Sequence, residues 1–102
     1  MACPLIELAV TTNLECAHRS ADGTLHGHSY LVEVWFHAGH DLATLEAMVK
    51  DLAAQVDHTL LETSIGSSTM ERIAEWFLEK AMATRVVVRR PTLGYAVEAC
   101  RA

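Results

Sequence analysis

Between Leu5 and Cys16 the chain alternates. Ile6, Leu8, Val10, Leu14 and Cys16 share one parity, and Glu7, Thr11, Asn13 and Glu15 share the other. Side chains in a strand repeat every two residues, so this pattern specifies a half-buried β-strand. A second run begins at His28, with Tyr30, Val32, Val34 and Phe36 on one parity. The intervening Arg19–Leu25 holds a glycine and several small polar residues, the composition of a hairpin loop. His18 keeps the parity of the apolar set, and His26 and His28 are two apart. One hairpin would therefore carry all three imidazoles on one side. Three histidines with an open fourth position form a recognised catalytic zinc arrangement. Read alone, His26-Gly27-His28 would be ordinary polar residues flanking a turn; the third histidine on the facing strand shifts the balance to a metal site.

The period then changes. Across Asp41–Val56, Leu42, Leu45, Val49, Leu52 and Val56 recur at steps of three and four, one stripe of a helix. A second helix is expected from Ser68-Thr69-Met70-Glu71, where Ser68 and Glu71 have capping-box spacing, with Met70, Ile73, Ala74, Phe77 and Ala81 as its apolar stripe. Thr59–Ser67 reads as a loop. Arg85–Arg90 and Tyr95–Cys100 read as two closing strands around the turn Pro91-Thr92-Leu93-Gly94. The order ββααββ predicts an α+β fold, a four-stranded antiparallel sheet with two helices on one face.

At 102 residues the chain is expected to be one domain. A hydrophobic fraction of 51% suggests that apolar surface is buried between subunits. The net charge of −5 and the lack of a basic stripe argue against nucleic acid. No apolar run approaches the roughly 20 residues of a membrane span. Met1-Ala2-Cys3-Pro4 lacks the basic start of a signal peptide, and the odd number of cysteines (Cys3, Cys16, Cys100) implies no disulfide framework, so the cytoplasm is the expected location. His37 and His40 read as solvated loop residues.

With this element order, Ala17-His18-Arg19, Leu25-His26-Gly27-His28-Ser29-Tyr30, Asp41-Leu42, Val56-Asp57-His58-Thr59-Leu60-Leu61 and Thr69-Met70-Glu71-Arg72-Ile73-Ala74 together resemble the 6-pyruvoyl-tetrahydropterin synthase / 6-carboxy-tetrahydropterin synthase family over nearly the whole chain. The resemblance implies a tunnelling fold, in which three subunits close their sheets into a barrel and two such trimers stack into a hexamer. It implies zinc as cofactor, with His18, His26 and His28 as ligands, and a carbon–oxygen lyase acting on 7,8-dihydroneopterin triphosphate or a related pterin-like small molecule. Asp57 and His58 match the family's catalytic pair, the carboxylate orienting an imidazole base. For His58 the alternative is a helix-end residue complementing the helix dipole. Glu71 matches a substrate-binding place, and the capping box explains it equally.

Two positions depart from the family. Its catalytic cysteine, four residues before the first histidine of His-Gly-His, is here Asp22, either a carboxylate base or the turn former of Asp22-Gly23. The glutamate that anchors the pterin edge on the third strand, just before a threonine, is matched here by Arg89. A guanidinium only donates, so it suits a carboxylate or phosphate and not paired N–H groups. Two functions follow: a zinc-dependent synthase-type lyase, or a diverged member that keeps the zinc scaffold without catalysis or acts on a changed substrate.

Overall fold

The computed structural model describes residues 5–101, and Cys3 falls outside them. Strands β1 (Glu7–Arg19) and β2 (Leu25–His37) are followed by helices α1 (Leu42–Val56), α2 (Leu61–Ser64) and α3 (Met70–Ala81), then strands β3 (Arg85–Arg90) and β4 (Tyr95–Cys100). The strands form one antiparallel sheet in the order β1-β2-β3-β4. The α+β architecture expected from the alternation is present, with one addition. The stretch expected to be a loop contains α2, a single helical turn from Leu61 to Ser64 whose Leu61 side chain is fully buried. A four-residue turn is too short to leave a periodic signature.

The helices lie on the sheet face that carries Val10, Leu14, Cys16, Tyr30, Val32, Val34, Phe36, Val86 and Val88, all buried. From α1 come Leu45, Val49, Ala53 and Val56, and from α3 come Ile73, Ala74, Phe77 and Ala81. Leu42, in the predicted stripe, is instead exposed at the first turn of α1, whereas Trp76 joins the core edge-on to Phe77. Burying a side chain of this size stabilises by about 1.5–3 kcal/mol. The sheet with its two long helices is therefore held together mainly by this one layer.

Two features of the sheet place the site. β1 and β2 pair along all 13 residues of each, from Glu7↔His37 to Arg19↔Leu25, but β3 pairs with β2 only from Leu31 to Trp35. The far half of the hairpin therefore runs on beyond β3 as two strands. A strand of this length spans roughly 44 Å, and the molecule is correspondingly long, 56 × 25 × 24 Å. In the same region the chain leaving α1 docks on the outer edge of β1. His58 N–H donates to the Glu15 carbonyl (2.6 Å), and Ala17 N–H donates to the Thr59 carbonyl (2.9 Å).

The helix starts follow side-chain capping, with one correction. Asp41 caps α1, accepting from Thr44 N–H at 3.0 Å. The cap of α3 is Thr69, whose hydroxyl accepts from Arg72 N–H at 3.1 Å. The predicted box of Ser68 with Glu71 does not form, because the helix begins one residue later and Arg72 takes the third position. An N-cap is worth about 1 kcal/mol. Thr69→Ala should lose about that much stability in urea unfolding, whereas Ser68→Ala should leave it within a few tenths; the reverse order would return the cap to Ser68.

Candidate active site

His18 lies directly opposite His26 across the hairpin, and Cys16 opposite His28. All three histidines keep the parity of the buried face, on the stretch that projects past β3. His18 and His28 are half-buried, and His26 is exposed. The rings converge: His18 and His28 stack at 4.6 Å between centroids, with His26 5.8 Å from His18 and 6.4 Å from His28. Nε2 of His18 lies 2.6 Å from Nε2 of His28.

The donor chemistry suits a divalent ion of zinc type: three imidazoles, open to solvent on one side. Among the described residues no three His, Cys, Asp or Glu side chains stand in ligating geometry, for a reason visible in the hydrogen bonds. Two nitrogens on a tetrahedral ion with bonds of 2.0–2.1 Å lie about 3.3 Å apart; the two Nε2 atoms here are closer, at 2.6 Å. His26 Nε2 is turned away to Thr24 Oγ1 at 2.8 Å. Two solvent-occluded polar atoms near the cluster lack partners, Arg90 Nε and Glu62 Oε2. Unpaired buried polar atoms cost about 1–3 kcal/mol each.

Asp22 builds the turn between the strands. Its Oδ1 accepts from Thr24 N–H (3.0 Å) and from the Thr24 hydroxyl (2.7 Å), and these bonds, the hydroxyl's first, hold its carboxyl below the ordinary range. Gly23, at φ +86°, supplies the left-handed step of the same turn. Asp22 reaches the cluster only through Thr24, which accepts from His26. Cys16 is buried under the hairpin with its thiol toward the Val56 carbonyl at 3.5 Å. Burial first, then the charges of Asp57 and Glu15, pushes that thiol up to about 11, so it stays protonated at neutral pH.

The β3 arginines separate by face. Arg89, singled out in the sequence, lies on the face away from the helices, where its Nε donates to Glu33 at 3.0 Å. Arg90, one residue on, shares the histidines' face and sets Nη2 2.7 Å from His28 Nδ1. Burial, then Arg90, then His18 and His26 lower the pKa of His28. Sequence reasoning passed over Arg90, and it passed over Glu62 too. Glu62 Oε1 accepts from Arg19 N–H at 2.8 Å, the chief cause of its depressed pKa, and the carboxylate also feels the charge of His18. Glu71 is exposed in the first turn of α3, and its side chain makes no hydrogen bond among the described residues.

Asp57 and His58 form a second group, on the outer edge of β1. Asp57 Oδ1 accepts from Glu15 N–H at 2.8 Å, and Oδ2 meets His58 Nδ1 at 2.9 Å. The Glu15 contact leads in holding the Asp57 carboxyl below its ordinary range. His58 stands just past the end of α1 at φ 58°, a left-handed conformation in which glycine is usual. Its ring is 77% exposed. It overhangs a cleft of about 290 Å³ lined also by Glu15, Cys16, Ala17, Gly27, His28 and Ser29. No hydrogen bond among the described residues joins His58 to the other three histidines.

An antiparallel meander backed by helices, with clustered histidines on a projecting hairpin and a carboxylate–imidazole pair at its edge, defines the class of protein: an α+β fold with a candidate metal and proton-transfer site. The chain belongs to the 6-pyruvoyl tetrahydropterin synthase family, whose family model matches residues 7–95. Its fold is that of a solved structure described as the 6-pyruvoyl tetrahydropterin synthase of Caenorhabditis elegans, at TM-score 0.80 and 18% identity over 97% of each chain. A comparison with curated proteins found no significant match. No helix among the described residues is long and apolar enough to cross a membrane.

If the three histidines are one metal site, protein purified with zinc should carry one equivalent per chain, and His28→Ala should lose most of it by metal analysis. Equal zinc in both proteins would dismiss the cluster as a ligand set.

Proposed function

We propose that this chain is the subunit of a zinc-dependent lyase of the 6-pyruvoyl- or 6-carboxy-tetrahydropterin synthase type, acting on 7,8-dihydroneopterin triphosphate or a related compound. The observation that carries this reading is the convergence of His18, His26 and His28, within 6.4 Å between ring centroids, on a fold shared with a pterin synthase. These three would hold the zinc. Bound there, the ion would act as a Lewis acid toward a substrate oxygen and acidify the adjoining C–H.

The remaining work falls to the chain's own groups. Asp57, fixed by Glu15 N–H, sets its negative charge beside His58 Nδ1 and leaves Nε2 facing solvent. That arrangement orients the imidazole and supports a proton on Nδ1, so Nε2 can take one from carbon. Asp22 serves as a turn residue whose link to the cluster runs through Thr24, and Cys16, protonated, offers no thiolate.

Because the pair sits on the outer edge of β1 and the cluster on the helix face, we read the working site as shared between subunits of a trimer or hexamer. The free outer edge of β4 and the uncovered part of β1 support this, since barrel closure would pair both. Glu71 and Arg89, which stand apart from the cluster within one chain, would contribute only across such a boundary. Light scattering at micromolar concentration should give at least a trimer, and a stable monomer would refute the shared site. A soluble protein of the cytoplasm fits this reading.

A second reading, a zinc-binding relative with changed substrate or no catalysis, is favoured by Arg90 beside the cluster, where a donor meets the site. Zinc-loaded protein incubated with 7,8-dihydroneopterin triphosphate separates the two. The lyase should release triphosphate and a tetrahydropterin product. His58→Gln should then turn over about 10²–10⁴-fold more slowly with its zinc retained. No product from the fully zinc-loaded oligomer would select the second reading, and activity within a few-fold in His58→Gln would reduce His58 to a helix-end residue.

A further inference from the structure

The cleft of about 290 Å³ under His58 has a floor and walls that come from the hairpin. Across the two strands Glu15 lies opposite Ser29, and Ala17 opposite Gly27. These four share one parity, so two small residues lie beside a polar pair on one face. The backbone does not require glycine at position 27. Its φ is not positive, and a Cβ there would meet nothing closer than the Cys16 carbonyl oxygen, at 3.8 Å. A larger residue would instead stand in the cleft, so Gly27 and Ala17 keep the floor flat and open.

The polar side chains around this floor are of one kind. The Ser29 hydroxyl donates to Glu15 Oε2 at 2.6 Å and so turns only lone pairs outward. The Glu15 carboxylate is an acceptor with about four lone-pair sites, and Ser29 takes one. Its backbone is fixed on both sides: Glu15 N–H donates to Asp57 Oδ1 at 2.8 Å, and its carbonyl accepts from His58 N–H at 2.6 Å. Asp57 Oδ2, itself an acceptor, stands on His58 Nδ1, which leaves Nε2 as a lone pair in the neutral ring. Cys16 turns its thiol to the Val56 carbonyl. Apart from His28, which belongs to the histidine cluster, every polar side chain lining the cleft offers an acceptor. Glu15, with Asp57 behind His58, also makes the place negative. It repels phosphate and calls for donors.

We infer that this cleft takes the N–H edge of a flat heterocycle, with Glu15 as the residue that reads it. Two adjacent N–H groups, as on a 2-amino-4-oxopyrimidine ring, meet the two oxygens of the carboxylate while Ser29 braces it. The ring lies over Ala17 and Gly27. The volume stands at the low end of ligand sites, enough for a small ring system, and an attached phosphate chain points out of the cleft, away from Glu15 and Asp57. This assignment deepens the pterin reading and rests on it: Arg89 is engaged by Glu33 and only donates, and Glu15 supplies the acceptor.

Pterin and lumazine are the probes, because in lumazine a carbonyl oxygen replaces the 2-amino group of pterin. In fluorescence titrations of the zinc-loaded protein, pterin should bind about 10-fold tighter or more, the worth of one hydrogen bond to a charged group. Glu15→Gln leaves every backbone bond in place and puts an amide donor beside an acceptor. It should erase or reverse the preference. Gly27→Val, folded by circular dichroism, should weaken both probes by filling the floor. Failure of the wild type to bind pterin, equal binding of the two probes, or a preference that survives Glu15→Gln would overturn the assignment. Assay with 7,8-dihydroneopterin triphosphate separates this failure from that of the lyase. Triphosphate release with a probe preference indifferent to Glu15→Gln would keep the lyase and remove Glu15 from recognition. A Glu15-dependent preference without any turnover would keep the cleft as a ring site and remove the lyase.

Discussion

The pairing of β1 with β2 is the constraint on which the site depends. Because side chains alternate, the register that sets His18 opposite His26 also sends Val10, Leu14, Cys16, Tyr30, Val32, Val34 and Phe36 into the core. A slip of one residue would carry one strand's whole apolar set to the other face. The core thus fixes the histidines at no separate cost: the burial that stabilises the near half of the hairpin dictates the geometry of the far half. The projection past β3 leaves those histidines only half covered, which a ligand site requires.

The same edge of β1 organises the second group. The chain leaving α1 is tied to Glu15 and Ala17 by backbone bonds and to Glu15 N–H by the Asp57 carboxylate. Those ties hold His58 in a left-handed conformation that costs a non-glycine residue roughly 1–2 kcal/mol. The two groups share one hairpin, and His58 and His28 line one cleft, but no hydrogen bond among the described residues joins them.

Much of this was legible in the sequence. The parity of His18 with Cys16, and of His28 with Tyr30, could be read directly because apolar and polar residues alternate there. The helical stripe of α1 and the Asp57-His58 pair at its end were equally plain. Asp22-Gly23 declared its turn. β3 was not legible in the same way: Val86, Val87 and Val88 are apolar in succession, so nothing in the sequence says which of Arg89 and Arg90 faces the helices. Only the register Leu31↔Arg89 decides it. Glu62 was hidden because it lies in a single turn too short to show a period, and the cap of α3 because Ser67, Ser68 and Thr69 are all capable of capping.

The central claim is that three histidines on one hairpin form one metal centre. Anomalous diffraction at the zinc edge, from crystals of the zinc-loaded protein, tests it most directly. The account predicts one zinc per chain, bonded at about 2.0–2.1 Å to a nitrogen of each of His18, His26 and His28. A zinc found elsewhere, with the three histidines not bonded to it, would contradict it.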